Sequence, residues 1–195
     1  KVNGDVHVGG TDTLNNPNIK LADGGGITAG QYNEVSINTG SETQTGSNNF
    51  FVGGVTNGQS LTTALNVIGI GAQSCKSVTS GSGNIGIGSS ALVNAEDGGN
   101  NIALGTSALS QNVSGTKNIC FGLNAGKQIQ LSGNTIIGRI EGDSTLSNTI
   151  ILGAGVNERA RCDSSGNWLF GGTLPSSPNI QLNEDGNITA GSYND

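Results

Sequence analysis

The chain has 195 residues and a net charge of −6, from 8 basic and 14 acidic side chains. Only 33% of residues are hydrophobic and 4% aromatic, while glycine contributes 34, where average usage would give about 14. This balance argues against a large conventional core. The lack of a basic stripe argues against nucleic-acid binding, and no apolar run reaches the length of a membrane span. Charged residues, at 11%, are too sparse for a charged disordered polymer. The Gly, Asn, Ser and Thr that dominate suit many tight turns between short strands. A chain that opens with Lys1 and holds no methionine reads as a piece of a longer protein.

In chain order, the first segment (1–43) carries strand-like phrases such as Val6-His7-Val8, Pro17-Asn-Ile-Lys-Leu21 and Ile27-Thr-Ala29. His7 is the single histidine, so a Ser-His-Asp or Cys-His site would have to form around it, and its neighbours offer nothing to complete one. It reads as a structural or solvent-facing residue.

The second segment (44–161) repeats one short phrase: apolar, any residue, apolar, glycine. It appears as Phe50-x-Val52-Gly53, Ile68-x-Ile70-Gly71, Ile85-x-Ile87-Gly88, Ile102-x-Leu104-Gly105 and Ile119-x-Phe121-Gly122. Weaker or terminal copies follow at Thr135-x-Ile137-Gly138, Ile150-x-Leu152-Gly153 and Trp168-x-Phe170-Gly171. Successive glycines lie 18, 17, 17, 17, 16, 15 and 18 residues apart. A unit this short buries its apolar face only against its neighbours, so it reads as one coil of a stack. The expected fold is all-β: a parallel β-solenoid or β-roll with coils of about 15–18 residues. Residues 50, 68, 85, 102, 119 and 137 are expected to stack in a row. Gln59 to Asn66 is the one stretch that could form a helical turn.

Asparagine precedes most phrases, at Asn49, Asn84, Asn101, Asn118 and Asn134. These could form a hydrogen-bonded ladder or simply tolerate left-handed turn geometry. Small residues follow three after the glycine, at Ser74, Ala91, Ala108 and Ala125, and Leu92 and Leu109 come next as core positions. The residue inside each phrase points to the other strand face, and none of these is charged. Two uncharged faces imply that both are covered. The expected cover is another copy of the chain, with Gly86, Ala103, Cys120, Ile136 and Ile151 as candidate packing positions.

The third segment (162–195) repeats the first. Gly166-Asn-Trp-Leu-Phe-Gly-Gly-Thr173 matches Gly4 to Thr11, Pro178-Asn-Ile-Gln-Leu182 matches Pro17 to Leu21, and Ile188 to Asn194 matches Ile27 to Asn33. The offset is 161 to 162 residues, so the organisation is serial.

The coil phrase, as in Asn100-Asn-Ile-Ala-Leu-Gly-Thr-Ser-Ala108, resembles the head repeat of trimeric autotransporter adhesins. That resemblance implies a left-handed parallel β-roll built from three chains, an intertwined or side-by-side trimer in which Gly86, Ala103, Cys120, Ile136 and Ile151 would be the trimer-packing positions. The segment from Asp163 to Gly186, and Asn3 to Asn33 with it, resembles repeats in tail-fibre and related virion structural proteins of bacteriophages, especially those of marine cyanobacteria. Together the resemblances imply a homotrimeric segment of a phage tail fibre or other virion appendage, supporting host attachment. Its partners would be other tail or capsid proteins and a host surface receptor or glycan. A bacterial trimeric adhesin head at the cell surface is the alternative.

Catalysis finds little support in the residues. A glycan-cleaving tailspike would need two carboxylates flanking a sugar, and the candidates are Glu96, Asp97, Glu141 and Asp143. Paired acids of this kind read as solvated loop tips. The GxGxxG-like glycines of Gly81 to Gly88 recur at the coil period, so the repeat accounts for them. Cys75, Cys120 and Cys162 match no CxxC pattern and read as small hydrophobes or free thiols. The expectation is a non-enzyme with no cofactor, no metal, no nucleic-acid partner and no membrane insertion.

Overall fold

A computed structural model describes residues 6–10, 17–21, 27–29, 36–37, 46–53, 56–171 and 178–190, with side chains from residue 46 onward. Among these residues there are strands and turns and no helix, so Gln59 to Asn66 is turn and bend rather than a helical turn.

Seven parallel strands carry the coil stack: β5 (Phe50–Val52), β6 (Ile68–Ile70), β7 (Ile85–Ile87), β8 (Ile102–Leu104), β9 (Ile119–Phe121), β10 (Thr135–Ile137) and β11 (Ile150–Ala154). Each pairs in register with the next, which is the parallel β-solenoid the repeat requires. The first row runs Phe50, Ile68, Ile85, Ile102, Ile119, Thr135 and Ile150. Position 137 therefore falls in the neighbouring row, opposite Phe121, because the phrase that starts at Thr135 aligns by its glycine.

Two devices keep the coils in register. The first is the phrase glycine. Gly71, Gly88, Gly105, Gly122 and Gly138 all have φ between 115° and 138°, a region open to glycine. A Cβ on Gly88 would sit 2.6 Å from both the carbonyl carbon and the oxygen of Gly105 in the next coil. The column is glycine because each one packs on the peptide of the next.

The second device is the asparagine ladder. The N–H of Asn101 donates to Asn84 Oδ1 (3.0 Å), Asn118 to Asn101 (3.0 Å), Asn134 to Asn118 (2.9 Å) and Thr149 to Asn134 (3.2 Å). Each Nδ2 turns to a loop carbonyl, such as Gly98 O from Asn84 (2.6 Å) and Gly115 O from Asn101 (2.8 Å). Asn84, Asn101, Asn118 and Asn134 are fully buried, so these bonds replace water one for one. The left-handed turn role falls instead on the preceding residue: Asn48, Asn66, Asn100, Lys117 and Asn148, with glycine at 83 and 133.

The interior is lined by Phe51, Gly69, Gly86, Ala103, Cys120, Ile136 and Ile151 on the strands, all buried. Ala91, Leu92, Ala108, Leu109, Ala125 and Ile129 reach them from the return path, each at 0% exposure. Size is balanced within each coil. Gly86 faces a coil with Leu92 six residues on, and Ala103 one with Leu109; Cys120 and Ile136 are followed at that distance by Gly126 and Gly142. The space is shared tightly. A Cβ on Gly86 would meet Cys75 Sγ at 2.8 Å, and one on Gly126 would run into Cys120 Sγ.

The parallel run ends at β11. Strand β12 (Asn157–Cys162) folds back antiparallel on it, with a register shift at Leu152/Gly153, and β13 (Trp168–Phe170), β14 (Ile180–Leu182) and β15 (Ile188–Ala190) continue an antiparallel meander. Trp168-x-Phe170 is therefore a hairpin strand and not a further coil. The 18-residue gap from Gly153 to Gly171 holds a whole extra strand, β12.

The first segment folds as β1 (Val6–Gly10), β2 (Pro17–Leu21), β3 (Ile27–Ala29) and β4 (Ser36–Ile37), an antiparallel sheet of its own. The duplicated sequences share one register. Val6 pairs with Leu21 and Val8 with Ile19; Trp168 pairs with Leu182 and Phe170 with Ile180. Leu21 pairs with Ile27 and Leu182 with Ile188.

Candidate assembly surface

A strand of three residues offers two faces, and closing the coil decides which one is inside. The inside face is the single middle residue. Ala103, Cys120, Ile136 and Ile151 are at 0% exposure in one isolated chain, and Gly86 is buried as well. The five expected trimer-packing positions thus have no surface to offer a second chain. The physical reason is width: a coil of about 17 residues leaves room for one side chain per strand opposite the return path.

The two flanking residues of each phrase face outward. Register aligns them in two rows across the 11-stranded sheet. One row runs Phe50, Ile68, Ile85, Ile102, Ile119, Thr135, Ile150, and the other Val52, Ile70, Ile87, Leu104, Phe121, Ile137, Leu152. Thr135 is the only polar residue in either. Phe50, Leu104, Ile137 and Leu152 are 40 to 44% exposed. This is a continuous uncharged apolar stripe along the length of the stack, of the kind that marks an interaction surface.

The same rows continue past the last coil. By register Ile150 leads to Cys162, Trp168, Leu182 and Ile188, and Leu152 leads to Ala160, Phe170, Ile180 and Ala190. Trp168 and Phe170 stack with ring centroids 6.0 Å apart. The interior row changes character over the same strands. After Ile151 it passes through Arg161, Leu169, Gln181 and Thr189. Arg161 pairs with Glu158 at 2.6 Å.

Of the carboxylates weighed for sugar chemistry, Asp143 is held in its own turn and the other three residues are tied to the preceding coil. Asp97 accepts from Ser80 Oγ (2.7 Å) and Thr79 Oγ1 (3.0 Å), which holds its carboxyl below the usual aspartate value. Asp143 accepts from the Thr145 hydroxyl (2.6 Å) and N–H (2.8 Å), with the same effect. Glu141 accepts from Gln128 Nε2 at 3.0 Å. Glu96 is exposed and joins the stack through its backbone carbonyl, which accepts from Thr79 at 2.9 Å. Burial pushes the Cys75 and Cys120 thiols up to about 12, so neither is a nucleophile at neutral pH. His7 lies in β1 opposite Lys20, and its side chain falls outside the described residues. Among the described residues no group of three or more His, Cys, Asp or Glu could hold a metal ion, and no helix is long and apolar enough to cross a membrane.

Sequence reading missed that the flanking residues are the outer ones. The signal was present in the size exchange between the middle residue and the residue six later, which only two side chains sharing one interior need. No protein-family model, curated protein or solved structure matches the chain.

Proposed function

We propose that this chain is a structural segment of a trimeric viral fibre, a phage tail fibre or related virion appendage, whose task is reach and host attachment. The observation that carries the reading is the apolar stripe. It is uncharged, runs the length of the coil stack and has the coil's own axial repeat of about 4.8 Å. A partner that fills every row must have that same repeat, and a second copy in parallel has it by construction. The duplicated meander, with one register in both copies, supports a serial rod. The three-fold count and the virion setting come from the resemblance of the coil phrase and the flanking repeats. No catalytic step is assigned.

Mass measurement of the full chain tests the assembly. A trimer is expected, and Leu104→Asp, which puts a charge in the outer row without touching the interior, should yield a smaller species with the coil spectrum intact. A folded wild-type monomer at micromolar concentration would sink the reading. The shaft role is tested by replacing Glu96, Asp97, Glu141 and Asp143 together. Folding and attachment should survive, and a large loss of host binding would make this region a receptor site instead. A bacterial adhesin head is the second reading, favoured by the Asn101 to Gly105 phrase; a membrane-anchor barrel in the same polypeptide would decide for it.

A further inference from the structure

We infer that the meander β12–β15 is an intersubunit element: its outer face packs on the meanders of other copies of this chain, and β14 and β15 become ordered only in that assembly. The inference rests on the self-association proposed above and extends it beyond the coils.

The argument begins with what each face can bury. In the coils the middle residue is buried by the return path of the same chain. The meander has no return path, and there the inner row holds one buried apolar residue, Leu169, among Arg161, Gln181 and Thr189. The other large apolar side chains lie on the outer face: Phe170 is 37% exposed, Leu182 37%, Ile180 46% and Ile188 73%. Every residue of β15 is exposed. Within one chain β14 and β15, which hold no buried residue, therefore gain almost nothing from the hydrophobic effect, and hairpins with an uncovered apolar face are marginal in water.

The occupant follows from register. The outer rows of the meander are the outer rows of the coils, continued strand by strand in one 11-stranded sheet. When coils of two copies pack row against row in parallel, their meanders come to the same height. Each then presents Phe170, Ile180 and Ile188 to the equivalent residues of its neighbour. The inner row of β14 and β15, Gln181 and Thr189, is polar as this arrangement needs, since that face is then the wet one.

Backbone hydrogen exchange of the full chain, read per residue at high and low protein concentration, tests this. Coil amides such as those of Ile102 and Ile119 should be protected in both states. Amides of β14 and β15 should be protected in the assembly and lose that protection on dilution to monomer. Ile188→Asp should remove it in the assembly while the coils stay associated. Equal protection of β14 and β15 in monomer and assembly overturns the inference, as does an assembly that leaves them unprotected, or one in which Ile188→Asp changes nothing. A chain that never associates fails the self-association reading first, and this one with it. Leu104→Asp separates the two: it should release coils and meander together, whereas Ile188→Asp should release the meander alone.

Discussion

At the scale of single residues, the ladder has one missing rung. Asn49 Oδ1 accepts from the Val67 N–H at 2.9 Å, but Val67 has no acceptor to pass on to the next coil. An asparagine there could accept from the Asn84 N–H and donate to Gly81 O, as Asn101 does with Asn118 and Gly115 O. Val67 is a fully buried core side chain and Gly81 O already accepts from Asn84 Nδ2 at 2.9 Å, so the lost apolar burial offsets the new bonds and Val67→Asn should leave stability within about 1 kcal/mol of wild type. Asn101→Ala should cost about 1–3 kcal/mol by leaving the Asn118 N–H and Gly115 O unmet. Both can be read from denaturant midpoints at constant slope. Gly88→Ala, at φ 130° and against the Gly105 peptide, should be worse than an ordinary surface change, by about 1–3 kcal/mol of strain. Acid should act gently. The lowered Asp143 and Asp97 values stabilise the fold above the unfolded carboxylate range, and that contribution disappears as pH falls through the folded values. Asp143→Asn should flatten the acid side of a melting-temperature profile slightly, because the carboxylate is exposed.

Whole coils should be removable elements. Each is tied mainly to its neighbours, through bonds such as Ile102 N–H to Asn118 O and Gly105 N–H to Ile87 O, both 2.8 Å. Deleting residues 102–118 joins Asn101 to Ile119 and leaves the glycine column and ladder in phase. The rod should shorten by about 4.8 Å and still assemble, which small-angle scattering and mass measurement can check. Deleting a partial coil should abolish folding, since it would put Asn at apolar positions and move the outer rows inside. The thiols report on the same unit. Cys75 and Cys120 are fully buried, so alkylation at both should track global unfolding of the stack.

For the whole molecule, self-association should depend on the outer rows and not on the inner one. Ala103→Asp buries an unpaired charge inside a single coil, so it should prevent folding of the chain. Leu104→Asp, one residue along, should spare the fold and break the assembly. Circular dichroism with mass measurement distinguishes the two. If both variants behave alike, the division between a self-sufficient interior and an associating exterior is wrong. The proposed fibre depends on that division, because each chain must complete its own coils before a common stripe exists for copies to share.

The sequence by itself determined what is local and repeated. The phrase glycine and the asparagine four before it each meet the same residue of the next coil, and the small residue three after the glycine bonds at a fixed offset, so their spacing alone specifies a parallel stack. The duplicated flanks were legible for the same reason: identical strings of Ile, Leu and Asn fold into one register in both places. The sense of the strands at Trp168 was not legible, because Trp168-x-Phe170-Gly171 has the coil phrase while β12 stands between it and the last coil. Nor was the choice of face. Ile102-Ala103-Leu104 is apolar throughout, so alternation gives no polar side to mark as outer. Only closing the coil decided it. Leu109 and Ala108 arrive from the return path and fill the interior, which leaves space for Ala103 and none for Ile102 or Leu104.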